Sequence, residues 1–539
     1  MSTESMASLQ NLEIVVALLV AVLVLTTLAR NLLLPYPILL VLGGIALSAI
    51  PRVPVLRLDP DLVFLVFLPP ILWSAAYFTS LRDFRANLRS ITFLAVGLVI
   101  ATTAAVAAAA RWVIPGIGWP EALALGAIVS PTDAVAATSI GRRLNIPRQV
   151  LVILEGESLV NDATALVLYR AAVAAAVTGA FSFTDGLVLF VLASIGGVAV
   201  GLAVSELARR ALSLTEDSFT EVLVTLLAPY ACWIAAEHLH VSAVLACVAG
   251  GLYLRQHLSE AVAPVTRLQA RAVWDVFVFL LNGVLFILIG LQLATLRPTV
   301  GPGELKPLLV QAAAISAVAI ALRLIWVPIA MGLPPLLSTA LRRRESMPQW
   351  PPVFLIGWIG MRGIVSLAAA LALPLATARG TPFPFREDVI LLTFAVIITT
   401  LVLQGLTLAP LLRRLGLCDD YSLADEELRA RDAAVDAALA RLEELAREPW
   451  ARPAHLEQLR ARYAQRRAHA SSILSGDGAA TAEDAGAFRR LRHEALTAER
   501  RRVIGLRDRG EISDEVLHRL EHELDVEALQ IGTGELRSG

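Results

Sequence analysis

Lysine is almost missing from this chain. Lys306 is the one present, and arginine supplies the rest of the 46 basic residues. Cysteine is nearly as scarce. Cys232, Cys247 and Cys418 lie far apart, which excludes a disulfide framework and any cysteine metal-ligand spacing. No His-Glu-x-x-His run occurs, which removes the commonest zinc-hydrolase signature. Charge is thin overall, at 17% of 539 residues; the net charge of -1 says nothing about nucleic acid, because the charges are segregated rather than absent, and no nucleic-acid partner is expected. The first residues, "MSTESMASLQNLE", are acidic rather than basic, so the first apolar run lacks the flank of a secretory signal. What fills the chain instead is apolar: 56% hydrophobic residues and a mean hydropathy of +0.67. Soluble domains hold about 45–50% apolar residues.

Apolar runs of membrane length recur from Leu12 to about Leu412, which predicts an all-α polytopic membrane protein. Thirteen spans fall near 12–29, 33–50, 61–79, 90–113, 121–141, 149–178, 185–208, 219–237, 241–256, 273–296, 308–333, 352–377 and 388–412. With the N-terminus outside, the inner loops hold about 17 Arg and the outer ones about 7 Arg and Lys. That bias predicts an N-out protein with its C-terminus in the cytoplasm. The domain reading is a transmembrane part over 12–417 and a cytoplasmic charged tail over 418–539. In the tail, "LADEELRARDAAVDAALARLEELAR" patterns as a helix and "SGDGAATAED" reads as a flexible linker. "RDRGEISDEVLHRLEHELDVEAL" reads as a Gly-stopped helix, an Asp-capped turn and a further helix. A solvated tail and a regulatory or dimerising one fit this pattern equally.

Three places break the apolar pattern. In "SPTDAVAATS" of the fifth span, Pro131 lacks an N–H and disfavours helix at Ser130, so carbonyls are freed near Asp133. In "LEGESLVNDATALVLYR" of the sixth span, Ser158 stands one turn before Asp162 on the same face and Glu155 two turns before. Glu157 points roughly 140° away from Asp162 by the 3.6-residue repeat, and Asn161 faces sideways. In "GWIGMRGIVSLAAALALP" of the twelfth span, Gly357, Gly360 and Gly363 bracket Arg362 and weaken the helix. Arg323 lies inside the eleventh span, where a buried guanidinium needs a carboxylate. Arg170 reads as snorkelling or pairing near the outer end, and "EHLH" at 237–240 as a solvated turn. The breaks in spans 5 and 12 occupy matching places in two six-span halves, 1–6 and 8–13, with the seventh between. Such pairs point to an inverted-repeat secondary transporter.

"SPTDAVA", "EGESLVNDATALVLY" and "GMRGIVSLAAALALP" together resemble the motifs of the monovalent cation:proton antiporter 1 family, the sodium/proton exchangers, in its bacterial branch. The resemblance runs over the membrane part, and more loosely over Glu494 to Leu529. It implies a core of two crossing, partly unwound helices, and a cation and proton site made from Thr132, Asp133, Ser158 and Asp162, with Asn161 orienting it. It implies a structural ion pair between Glu157 and Arg323, and a homodimer in the bacterial inner membrane. Relatives carry an acid near Ser74, where this chain reads Trp73-Ser74-Ala75, which puts a ligand from the third span in doubt.

The residues themselves allow this chemistry. A monovalent alkali cation wants oxygen ligands, and carboxylate, hydroxyl and freed carbonyls supply them. A proton and a cation then compete for Asp162, and one acid alternating between them exchanges ions electroneutrally. Glu155 belongs to a cytoplasmic funnel or is an ordinary interfacial charge. Arg362 plugs helix ends or takes part in transport. Sodium is the expected cation, with lithium and potassium open, and no cofactor is expected. A channel would favour charge rings or carbonyl filters. An intramembrane protease would need a base beside Ser158, and no His lies at a matching depth.

Overall fold

The computed structural model describes residues 3–32, 35–50, 59–133, 135, 138, 146–179, 183–215, 217–261, 264–296, 305–337, 349–417, 421–448, 451–474, 478–509, 511, 516, 517, 520, 524 and 527. Two compact units divide it, Met1–Asp420 and Tyr421–Gly539. Both are helical among these residues; a single isolated bridge, Ala376 to Pro382, is the extended pairing they contain.

The first unit begins with α1 (Thr3–Asn31), α2 (Tyr36–Ser48), α3 (Pro60–Phe78), α4 (Leu88–Val113) and α5 (Trp119–Val129). It continues with α6 (Arg148–Thr178), α7 (Phe183–Ser213), α8 (Ser218–His238), α9 (Ala243–Ala261) and α10 (Pro264–Leu291). It ends with α11 (Leu305–Leu337), α12 (Trp350–Trp358), α13 (Ile364–Leu371) and α14 (Arg386–Leu415). Eight helices among the described residues are long and apolar enough to cross a membrane. The other predicted spans fall on helices that miss that measure for physical reasons. α2 and α5 are short, α6 carries Glu155, Glu157, Asp162 and Arg170, α9 turns polar from Arg255 onward, and the twelfth span is split into α12 and α13.

One boundary differs from the sequence reading, and one break falls where it was expected. The first helix of the fifth span stops at Val129, the chain opens at Ser130-Pro131, and Val135 and Thr138 are helical again. Most of its later part, with the Arg142-Arg143 loop, lies outside the described residues, as does the "LRRRES" loop. The twelfth ends at Leu371 rather than 377, ahead of Pro374 and a loop that runs to Phe385.

The contacts repeat across the two halves. α4 packs on α5 as α11 packs on α12, and α2 packs on α10 as α9 packs on α3. This is the pairing a two-fold relation between spans 1–6 and 8–13 produces. The α2–α10 crossing is bare of side chains. A Cβ added at Gly44 would lie 3.0 Å from the Gly290 Cα, and one at Gly290 would lie 2.8 Å from the Gly44 Cα. Small residues let two membrane helices approach backbone to backbone. One polar exception stands at the head of α11, where Lys306 is exposed.

The second unit holds α15 (Tyr421–Leu445), α16 (Pro453–Leu474) and α17 (Gly478–Asp508). The linker expected at "SGDGAATAED" is corrected here: from Gly478 onward the segment is the first turns of α17. Three of its residues are Ala and one is Glu, strong helix formers that outweigh one Gly. Residues 475–477 and most of the closing segment after Gly510 lie outside the described residues.

Candidate functional site

The two helix breaks lie side by side. The backbone N–H of Asp133 donates to the carbonyl of Met361 at 2.8 Å, so the opened strand after α5 pairs with the opened strand after α12. Each broken helix leaves carbonyls at its C-terminal end, carrying partial negative charge and needing donors. Two arginines supply them. Arg362 Nε donates to Val129 O, the last carbonyl of α5, at 3.0 Å, and its Nη1 donates to Gly360 O. Arg323 Nε donates to Ile356 O in the last turn of α12 at 3.2 Å. Both side chains are buried. Arg362 thus satisfies backbone carbonyls at both breaks.

Arg323 also holds Glu157. Its Nη1 donates to Oε1 and its Nη2 donates to Oε2 at 2.8 Å, a two-pronged ion pair on residues 1% and 2% exposed. Thr132 Oγ1 donates to the same Oε1 at 3.0 Å. Asn161 Nδ2 in turn donates to Thr132 O and Thr132 Oγ1, each at 3.1 Å. Glu157, Thr132 and Asn161 thus form one buried chain of bonds that locks α6 to the opened strand. The Thr132 hydroxyl is engaged on both sides, so its ligand capacity is one remaining lone pair.

On the other face of α6 lies a cavity of about 520 Å³. Thr132, Asp133, Glu155, Ser158 and Asp162 all line it. Asp162 makes no hydrogen bond or ion pair among the described residues, which sets it apart from Glu157. Asp133 is held locally: its Oδ1 accepts from the Val135 N–H at 2.8 Å. Its carboxylate sits at the N-terminus of α13, against Gly363, where helix N–H groups favour negative charge. A Cβ at Gly363 would fall 2.6 Å from the Asp133 Cγ. Gly363→Ala is therefore expected to push the Asp133 carboxylate out of place. Cation-driven proton flux should fall at least about tenfold, with a small effect on thermal unfolding in detergent. Unchanged flux would show that the Asp133 position is immaterial.

The opposite wall comes from α3, α9 and α10. Ser74 lines the cavity where an acid was in question, and its hydroxyl donates to Ile71 O of its own helix at 2.9 Å. Arg255, Arg271, Asp275 and Asn282 also line it, and sequence reasoning missed all four. Asn282 carried a readable signal, being the polar residue inside "VFVFLLNGVLFILIG". At the far end of α6, Arg170 pairs with Glu237 at 3.5 Å, both exposed. His240 ends the turn after α8 with positive φ.

A helical membrane protein with two opened helices crossing beside an unpaired carboxylate defines a secondary transporter class. The chain belongs to the sodium/hydrogen exchanger family: residues 15–414 match the family described as sodium/hydrogen exchanger, transmembrane. It is 36% identical, over 96% of each chain, to a Mycobacterium tuberculosis protein named as an uncharacterized Na+/H+ exchanger. It is 34% identical to the sodium, potassium, lithium and rubidium/H+ antiporter of Bacillus pumilus, over 70% of this chain and 57% of that one. The fold is similar to that of the sodium proton antiporter MjNhaP1 of Methanocaldococcus jannaschii. The TM-score is 0.58 at 17% identity, covering 76% of this chain and all of the other.

Proposed function

We propose that the chain exchanges sodium for protons one for one across the bacterial inner membrane, serving pH and sodium homeostasis. Asp162 is the group that carries either ion, and Ser158, Thr132 and Asp133 supply the remaining oxygens. The observation that carries this reading is the split on α6. Glu157 is clamped by Arg323 and Thr132, while Asp162 faces the cavity with no cationic partner among the described residues. A charged, empty carboxylate is costly at that depth, whereas a protonated or cation-loaded one is not. Exchange follows from that difference, and one carboxylate moves one charge each way.

Asn161 and Arg362 act through geometry in this reading, the first by fixing Thr132, the second by satisfying α5. Glu155 draws cations toward the site from the cytoplasmic side. The N-terminus faces outward, the tail over 418–539 lies in the cytoplasm, and two copies form the working unit. No cofactor takes part. The test is proton flux in proteoliposomes under an imposed pH gradient, with Na+, Li+ and K+ supplied opposite in turn. Proton movement that needs Na+ and ignores voltage supports electroneutral sodium exchange. A larger response to K+ reassigns the cation, and voltage-driven flux without exchange refutes the reading.

A further inference from the structure

Asn282 has no part in the exchange scheme above, yet its placement is the least economical of the cavity residues. Its side chain is 5% exposed, lines the cavity, and makes no hydrogen bond among the described residues. Its neighbours on the same face of α10, Val278, Phe279, Leu285 and Phe286, are apolar. The ionisable groups on that helix that reach the cavity, Arg271 and Asp275, are at least two turns away, about 10 Å along the axis. A carboxamide buried among apolar groups without a partner is costly unless something else in the cavity uses it.

The other walls say what would use it. Asp162, Ser158 and Thr132 face the same space from α6 and the opened strand, and Asp133 joins them. On α3, Ser74 has already given its hydroxyl proton to Ile71. An amide oxygen is a hard, neutral donor of the kind alkali and alkaline-earth cations accept. It adds no titratable proton, so it changes which ion binds without changing how many charges move.

We propose that Asn282 is a specificity-determining residue: from the wall facing Asp162, its amide oxygen contacts the bound cation or that cation's water shell and ranks monovalent cations. The inference rests on the exchange reading and deepens it. The site then has a charged side that binds H+ or M+ and a neutral side that distinguishes one M+ from another.

The test uses full-length protein in proteoliposomes, with initial proton flux measured against Na+, Li+ and K+ concentration. Asn282→Ala should raise the apparent KM for Na+ about fivefold or more and alter the Na+ to Li+ ratio, with the saturated rate nearly kept. Equal KM and equal ion ranking in folded Asn282→Ala overturns the proposal. A fall in saturated rate at unchanged KM also overturns it, since that is the mark of a structural role. If Asn282→Ala does not yield monodisperse protein, Asn282→Gln carries the same test. It keeps the amide but moves it by one methylene, so a changed ranking supports the role and an unchanged one overturns it. Wild-type protein silent to all three cations refutes the exchange reading itself. Wild-type exchange beside indifferent Asn282 variants refutes this inference alone.

Discussion

Asp162→Asn protein is expected to insert, fold and purify like the parent and to move almost no protons in response to sodium. The amide matches a protonated acid in size and polarity, so packing on α6 is kept. What is lost is the charge that binds a cation and the proton that is exchanged for it. The initial rate should drop at least about 100-fold, because the step has no second route. Asp162→Glu keeps the charge one methylene further out and should retain slower exchange with altered affinity. In the parent, raising Na+ should move the active range to lower pH, since both ions compete for one group. Vigorous sodium-driven flux from well-folded Asp162→Asn protein would end the single-carboxylate mechanism.

The second large effect concerns stability. Arg323→Ala strips Glu157 of both guanidinium contacts and leaves it with Thr132 as its remaining donor among the described residues. Removing one partner of a buried ion pair costs about 3–5 kcal/mol. It also frees the Ile356 carbonyl that Arg323 satisfies. Expression and thermal midpoint in detergent should fall sharply. Adding Glu157→Gln removes the stranded charge and should recover part of the loss, a coupling that two independent sites would not show. If the double variant is no more stable than Arg323→Ala alone, the pair does not hold the fold.

Much of this architecture could be read because helices and their failures leave marks in sequence. The 3.6-residue repeat separates Asp162 and Ser158 from Glu157, and the structure has the first two on a cavity and the third on Arg323. Pro131 and the glycines around Arg362 mark where the fifth and twelfth spans open, since each removes a donor or weakens a turn. The partners of Arg362 were illegible for a plain reason. They are the backbone carbonyls of Val129 and Gly360, and a carbonyl has no side-chain signature. Asn282 shows the other limit. Its polarity was visible, but which helix faces α6 is a matter of tertiary packing. The misread start of α17 shows how a Gly-Asp-Gly start can distract from the alanines behind it.

The near absence of lysine gives this molecule a chemical address. Because Lys306 is the lone lysine of these 539 residues and stands exposed at the head of α11, amine-directed reagents reach one side chain among them. A fluorophore or impermeant ester placed there needs no engineered background. In the proposed orientation Lys306 lies outside the cell. Labelling of intact cells, compared with labelling of inverted vesicles, therefore reads the sidedness of the eleventh span directly from the native polypeptide.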